Sequence, residues 1–349
     1  MIPPTLISLV VPVFNEAENV PQLWDRLVAA VAPLVDYRFE LVFVDDGSAD
    51  ETTARIGALR STPQVSWKLV RFSRNFGHQA AISAGMRYAD GDALIFLDAD
   101  LQDPPELIPA FLEQFAQGHD VVYGIRQNRK EPFWLRVCFA AFYRLFNAIA
   151  QRPIPLDVGD FGLMSRRVAK LIAEMPEHDR LIRGMRSWVG FKQIGIPYDR
   201  PERYAGTTRY SLGRRIEGAL DGIFGFSKVP IRIALFIGLA VFAVGGAYLL
   251  NTLFSSLFFG SKGLVQGWTS LITLGFMLGG ANLVAIAVVG EYVCRIYFQT
   301  KSRPLFVVDC VKTSSGAIVP SPLGQEDVNR VTQPVFYPRL SGNPAPLEP

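Results

Sequence analysis

Across residues 6–124 the apolar positions fall into two alternating patterns. Leu6–Val13, Phe39–Asp45, Trp67–Phe72, Ala93–Asp98 and Asp120–Gly124 are short runs rich in Val, Ile, Leu and Phe, as buried strands are. Between them, Val20–Val31, Glu51–Arg60, Gln79–Tyr88 and Pro105–Gln117 repeat their apolar residues at helical spacing. Asp50 and Asp103 are placed to cap helices, and Gly91 and Gly118 to end them. Strands and helices in alternation, with strands apolar on both sides, predict an α/β fold: a Rossmann-like, mostly parallel sheet covered on both faces. Ligands in such folds bind beyond the carboxyl ends of the strands, so the polar residues after each strand report on chemistry.

The pattern changes in the last third of the chain. Ile233–Ser261 and Gly263–Gly290 carry no charged residue, and each exceeds the roughly 20 apolar residues needed to cross a bilayer. Lys228 and Arg232 precede the first run, Arg295, Lys301 and Arg303 follow the second, and only Lys262 lies between them. The positive-inside rule then predicts a two-helix membrane hairpin with both chain ends on the cytoplasmic side of the inner membrane. The alternative is two buried helices of a soluble core. Met1–Phe14 is apolar but has no basic start, and Asn15–Glu16 interrupts it, so it reads as a first strand rather than a signal peptide.

Two further segments are amphipathic and rich in aromatics: residues 133–149, with Arg136 and Arg144, and Leu212–Phe226, with Arg214 and Arg215. Each either packs into the core or lies on the membrane surface. The expected organisation is an α/β domain over 1–211 with an interface helix near 133–149 and a juxtamembrane helix over 212–230. Membrane helices follow over 231–300, at about 233–257 and 266–290, and then a proline-rich tail over 301–349, largely disordered from Thr313. With 49% hydrophobic and 19% charged residues, disorder along most of the chain is excluded. The net charge of +3 is too small to argue for nucleic acid, and Cys138, Cys294 and Cys310 have no spacing that suggests a disulfide framework or a zinc site.

Candidate chemistry gathers after the strands. Asp98, Asp100 and Gln102 place oxygen side chains at alternate positions where a strand ends, a donor set for a hard divalent ion, Mg²⁺ or Mn²⁺. A capped turn is the bland reading, and Asp103, before Pro104–Pro105, fits a helix cap better than a ligand. After the first strand come Pro12, Phe14 and Glu16, and after the second Asp45, Asp46, Gly47 and Ser48. The Phe14 ring is placed to face a nucleobase, with Glu16 and Asp46 accepting hydrogen bonds from it or from a ribose; acidic turn residues after strands are also common without function. His78 follows Asn75–Gly77 and either approaches this site or stays on the surface, where His119 and His178 are expected. There is no G-x-G-x-x-G, no Walker loop and no Ser/His/Asp or Cys/His arrangement.

In this order, Pro12–Glu16, Val44–Asp50, Arg74–Gly77, Asp98–Glu106 and Gly159–Phe161 resemble the family 2 glycosyltransferases of GT-A fold. More narrowly, the chain is similar to the polyprenyl-phosphate glycosyltransferases related to dolichol-phosphate mannose synthase, in the bacterial branch with two C-terminal spans that includes the undecaprenyl-phosphate glucosyl and aminoarabinose transferases. The resemblance covers about residues 6–308 and includes Gly290–Tyr292 and Arg303–Pro304. It implies a nucleotide-sugar donor with its base near Pro12, Phe14, Glu16 and Asp46, Gly77 in the same donor site, and a metal on Asp98, Asp100 and Gln102. It implies that Arg126, and less directly Arg136, holds the phosphate of a polyprenyl phosphate acceptor, an anion that a guanidinium fork suits. Relatives carry a hydroxyl or lysine one turn after Arg136, where this chain has Ala140–Ala141, and a lysine where it has Arg209. Arg209, with Arg203, is expected to close over the donor diphosphate.

A lipid phosphate is anionic near neutral pH, so it attacks the anomeric carbon without a general base, and in-line attack inverts that centre. Asp160, a base in transferases that act on hydroxyls, here orients acceptor or loop groups. The bland reading of Glu291, four residues before Arg295, is an intrahelical ion pair. The resemblance points to glucose ahead of aminoarabinose, mannose or N-acetylhexosamine, to uracil ahead of guanine, and to a homo-tetramer. A processive polysaccharide synthase is disfavoured by the missing Gln-x-x-Arg-Trp motif and the small number of spans. A non-catalytic membrane scaffold is disfavoured by the intact Asp98, Asp100, Gln102 and Arg126.

Overall fold

The structure, a computed structural model, describes residues 5–127, 158–199, 267–301, 303–316 and 318–319, with scattered positions between 234 and 258. Its centre is a nine-stranded sheet in the order β7-β5-β6-β4-β1-β2-β3-β8-β9. The strands are β1 (Thr5–Val13), β2 (Tyr37–Asp45), β3 (Val65–Phe72), β4 (Ala93–Phe96), β5 (Val121–Gln127), β6 (Val158–Ser165), β7 (Gln193–Asp199), β8 (Val308–Thr313) and β9 (Ile318–Val319). β6 runs antiparallel to both β4 and β5, and β8 antiparallel to β3 and β9; the other seven share one direction. The sheet is mostly parallel, as the strand and helix alternation predicts.

The helices are α1 (Asn19–Val31), α2 (Thr52–Gly57), α3 (His78–Tyr88), α4 (Ile108–Ala116, after a 3-10 turn at Pro105–Leu107), α5 (Arg166–Glu174), α6 (Ile182–Val189) and α7 (Gly267–Thr300). Alternate residues of β1 divide between two layers. Ile7, Leu9 and Val11 pack with Leu23, Trp24 and Leu27 of α1 and Phe111 of α4. Val10 instead joins Val42, Val44 and Val70 against Ala80, Ala81 and Ala84 of α3 and Val168 of α5. A strand with helices on both faces has no solvent side, so its sequence is apolar throughout.

Past Gly124 the chain departs from the expected pattern. β6 comes back antiparallel between β4 and β5, which brings Asp160 to the edge where β1–β4 end. α7 is one unbroken helix that continues past Gly290, the expected end of the second span, to Thr300. Among the described residues it is the one helix long and apolar enough to cross a membrane. Leu271, Leu283, Ile286, Val293 and Ile296 are all exposed on it, a surface that water does not favour. The first expected span and both amphipathic segments, 133–149 and 212–226, lie outside the described residues or mostly so, and the few positions described between 234 and 258 are helical.

After α7 the chain rejoins the central sheet. Phe306 stacks on Phe72 with ring centroids 5.0 Å apart, and β8 pairs with β3. The sheet therefore extends beyond the Thr313 boundary at which disorder is expected, as far as β9. Leu305, Phe306, Val308 and Val311 supply the apolar pattern for this return.

Candidate active site

Three loops at the carboxyl edge are stitched together by hydrogen bonds. After β1, Asn15 N–H donates to Ser48 Oγ at 2.9 Å and Glu16 N–H to Thr52 Oγ1 at 2.9 Å. Ala49 N–H returns a bond to Asn15 Oδ1 at 2.9 Å. Asp50 accepts from Thr52 N–H at 3.0 Å and from Ala17 N–H at 3.3 Å, but it is not the cap expected of it: α2 starts from Glu51 with no side-chain cap. Asp46 then ties the second loop to the third, accepting from the N–H groups of Phe76 at 2.6 Å and Gly77 at 2.9 Å. Gly77 has φ +100°, open only to a residue without a Cβ, and that conformation turns its N–H towards Asp46. Burial raises the Asp46 carboxyl above 3.8, although the two N–H donors oppose the shift. Phe14 is partly exposed at this edge, and Glu16 Oε2 accepts from Asn19 Nδ2 at 2.5 Å.

Beside these loops lies a charged cluster. His78, the first residue of α3, has Nε2 3.4 Å from Asp160 Oδ2 and 3.7 Å from Asp98 Oδ1. Burial alone would lower the imidazole, but Asp160, Asp98 and Asp46 together carry it up to about 9, so it is a cation at neutral pH. Asp160 moves the other way: burial opposes its ionisation, and His78, Arg183 and Arg186 overcome that and hold it below the usual carboxylate range. Among the described residues, Asp160 Oδ1 and Arg186 Nε are buried without a hydrogen-bond partner. Burial pushes Arg186 down to about 10, and its guanidinium lies 5.0 Å from the Tyr123 ring centroid.

Asp98, Asp100 and Gln102 follow β4 in a turn that includes Leu101 at φ +60°. Asp100 is buried and its Oδ1 accepts from Gln102 N–H at 3.1 Å, while the Asp98 side chain stays one-third exposed at 35%. Asp103 does not cap the following helix, whose start has no side-chain cap. It is drawn inward instead: Oδ2 accepts from Asp98 N–H at 3.3 Å, and Oδ1 accepts from Tyr198 O–H at 3.0 Å. Tyr198 in turn accepts from Arg126 Nε at 3.3 Å. Burial, and after it Asp103, pushes the phenol up to about 12, so it stays neutral and keeps its proton for Asp103. Burial alone would lower Arg126, but Tyr198, Asp103 and Asp98 outweigh it and keep the guanidinium firmly charged. Gly159 makes room for that side chain, since a Cβ there would meet Arg126 Nη2 at 2.6 Å. Only Nε of Arg126 is bonded among the described residues, so its two Nη groups remain as donors at the edge.

Residues 8–172 match the family described as Glycosyl transferase family 2. An uncharacterized glycosyltransferase of Bacillus subtilis (strain 168), YkcC, is 42% identical over 306 residues, covering 86% of this chain and 92% of the relative. The chain belongs to glycosyl transferase family 2. A prophage bactoprenol glucosyl transferase homolog of Escherichia coli (strain K12) is 41% identical over 307 residues, covering 88% of this family 2 chain and 99% of the relative. Among solved structures, the mannosyltransferase PcManGT from Pyrobaculum calidifontis in complex with GDP-Man and Mn²⁺ aligns over 80% of this chain and 86% of its own. Its identity is 17% and the TM-score 0.44.

In this glycosyltransferase the residues picked from the sequence and described in the structure stand at one edge: Pro12, Phe14, Glu16, Asp46, Gly77, Asp98, Asp100, Gln102, Arg126 and Asp160 follow or flank strand ends. Arg136, Arg203 and Arg209 lie outside the described residues. His78 belongs to the site rather than the surface. The sequence reading missed Gln79, Arg186 and Tyr198. Gln79 was within reach, two residues after the Asn75–Gly77 segment and directly after His78; nothing local marks Tyr198, which meets Asp103 across 95 residues of chain.

No group of three His, Cys, Asp or Glu side chains among the described residues is placed to hold a metal alone. A divalent ion of the Mg²⁺ type takes one or two carboxylates and fills its shell with water and substrate phosphate oxygens. Asp98, Asp100 and Gln102 offer only hard oxygen donors, and the partly exposed Asp98 leaves an approach from solvent. The residues present fit such an ion.

Proposed function

We propose that this glycosyltransferase transfers a sugar from a nucleotide sugar, UDP-glucose, to the phosphate of a membrane polyprenyl phosphate, undecaprenyl phosphate, with inversion at the anomeric carbon. The observation that carries the reading is Arg126. Its guanidinium is fixed through Nε by Tyr198 and keeps its Nη donors at the edge that also holds Asp98 and His78. Such a fork suits a phosphate monoester, which needs no base to become a nucleophile. The relatives named as bactoprenol glucosyl transferases support both the lipid acceptor and glucose.

In this mechanism Pro12, Phe14, Glu16, Asp46 and Gly77 form the donor side, and Asp98, Asp100 and Gln102 hold Mg²⁺ or Mn²⁺. The ion supplies positive charge to the leaving nucleoside diphosphate. Arg209 closes over that diphosphate, and Arg126 with Arg136 holds the acceptor phosphate in line with the anomeric carbon. Asp160, kept ionised by His78 and the nearby arginines, orients groups on the acceptor side rather than taking a proton.

The membrane part of the reading has two spans with both ends on the cytoplasmic side, and it includes a homo-tetramer. The exposed apolar surface of α7 and the helical positions described between 234 and 258 support the hairpin. Arg295 pairs with Glu291 at 2.8 Å and with Asp179 at 3.0 Å, which holds the end of α7 against the catalytic domain. A lipid phosphate at the membrane surface would then lie within reach of the site.

The test is transfer of radiolabelled sugar from a panel of UDP- and GDP-sugars to undecaprenyl phosphate by purified protein in detergent with Mg²⁺ or Mn²⁺. A labelled lipid from UDP-glucose, lost with EDTA and restored by either ion, is the expected result. Metal-dependent nucleotide binding without any lipid product would reject the acceptor, and absence of both would reject the catalytic assignment of these residues.

A further inference from the structure

Asp160 enters the ligand edge on β6 with its two oxygens held unequally. Oδ2 accepts from Gln79 Nε2 at 3.0 Å and faces His78, while Oδ1 is buried without a partner among the described residues. Gln79 is fixed from its other end as well: its Oε1 accepts the backbone N–H of Ile182, the first residue of α6, at 2.8 Å. A backbone N–H only donates, so the amide has a single sensible orientation, with Nε2 towards Asp160.

Ile182 closes a segment that α7 grips. Gln299 accepts from His178 N–H at 2.9 Å and donates to Pro176 O at 2.5 Å, and Arg295 pairs with Asp179 at 3.0 Å. Arg180, between the grip and Ile182, is bonded back to the carbonyls of Ile172 at 3.2 Å, Ala173 at 3.3 Å and Met175. One side-chain amide therefore stands between a buried carboxylate at the site and the stretch of chain that bears the apolar helix.

We propose that Gln79 is a positioning residue for sugar transfer, holding Asp160 in register with the Pro176–Ile182 segment on which α7 rests. This inference depends on the transferase reading above. Gln79 touches no reacting atom in this role; it acts through Asp160. Its donor bond restrains the carboxylate oxygen that faces His78, while its acceptor bond ties that geometry to the helix that brings the chain to the lipid. A carboxylate placed by a neutral amide keeps its charge, whereas a second carboxylate in the same place would repel it.

The experiment is a double-mutant cycle on the full chain in detergent, with kcat and donor KM for lipid-linked product read for Gln79→Met, Gln79→Glu, Asp160→Asn and each pair. Gln79→Met keeps the length and loses both bonds, and Gln79→Glu keeps the acceptor and loses the donor. Both are expected to lower kcat by about tenfold or more, the range for a lost bond to a charged group, with donor KM unchanged. In the Asp160→Asn background neither is expected to cost more than about twofold, because the group through which Gln79 acts is already altered. The two variants guard against misfolding, since Gln79→Glu preserves the bond to Ile182, and thermal midpoints check both. Losses that multiply in the double variants, or a rise in donor KM at constant kcat, would overturn the assignment. An inactive parent chain would overturn the transferase reading and this inference with it; an active parent with multiplying losses overturns this inference alone.

Discussion

Each end of the sheet buries a carboxylate, Glu40 at one and Asp160 at the other, and the two are treated in opposite ways. At the amino end, Glu40 accepts from Ser8 Oγ and from Asp90 N–H, both at 2.5 Å, and pairs with Lys68 at 3.4 Å. Lys68 also reaches Asp90 Oδ2 at 2.6 Å and Tyr88 O at 2.7 Å, and Gly91 N–H donates to Ser8 Oγ at 2.8 Å. At the carboxyl end, among the described residues, Asp160 keeps one buried oxygen without a partner, Arg186 keeps one buried N–H, and Arg126 is bonded only through Nε. Burying an unpaired polar atom costs about 1–3 kcal/mol, so folding alone gives no reason to retain the second arrangement. Paired acids mark a seam that holds β1, β2, β3 and the α3–β4 turn together; under-satisfied ones mark a place that waits for another charge.

That contrast predicts crossed outcomes. Asp100→Ala is expected to lower the rate of lipid-linked sugar formation about a hundred- to a thousandfold, the scale for removing a group that stabilises developing charge. Its thermal midpoint in detergent should stay close to that of the parent. Glu40→Ala should do the reverse. It leaves Lys68 and two N–H or O–H donors at the amino end without their acceptor, and is expected to cost about 3–5 kcal/mol in denaturant unfolding. Its specific activity, counted per folded molecule, should be unchanged. A Glu40 variant that folds normally but does not transfer sugar would end the distinction between the two ends.

Arg126→Lys sharpens the carboxyl-end side of the comparison. Lysine keeps the positive charge but loses the planar fork and the bond to Tyr198. The expected result is a ten- to hundredfold fall, to the order of magnitude, in kcat/KM for the lipid acceptor, with nucleotide binding unaltered. Equal loss of nucleotide affinity would instead put Arg126 on the donor side.

How far the sequence led depends on the range of the contacts. β1–β5 and α1–α4 were legible because each is a local run whose apolar spacing is set by two covering layers. The loops that follow them were legible for the same reason, since a parallel sheet places every such loop at one edge. β6 and β7 gave no comparable signal. Val158–Ser165 joins the sheet only by inserting between two strands already present, and Tyr198 finds Asp103 only once β7 lies beside β5. The return of Val308–Thr313 to β3 was hidden by the composition of the tail around it: its few apolar residues make sense only against Phe72. Asp103 was misread because Asp before Pro-Pro is a common helix start, and here the inward pull of Tyr198 and Asp98 N–H wins.

The smallest expected effect concerns a second paired acid at the amino end. Asp120, just before β5, accepts from Ser165 Oγ at 3.0 Å, and Arg167 donates to both of its oxygens. Arg167 first, and then Ser165 against the opposing effect of burial, holds this carboxyl below 3.8 in the folded chain. A carboxyl with a lowered folded pKa binds fewer protons folded than unfolded across that window. Its contribution is therefore complete above the unfolded value and fades as the pH falls through the folded one. Asp120→Asn should lower the thermal midpoint by a few degrees near pH 7, the order expected for about 1 kcal/mol in a chain of this size. As the pH falls through the folded value, which lies below 3.8, the parent's Asp120 takes up its proton as well, and the two unfolding curves should converge. Sugar transfer at pH 7 should be the same for both proteins, because this acid already has its partners and has nothing left to offer a substrate. A difference in transfer would mean that even a satisfied carboxylate at the amino end reaches the site through the sheet.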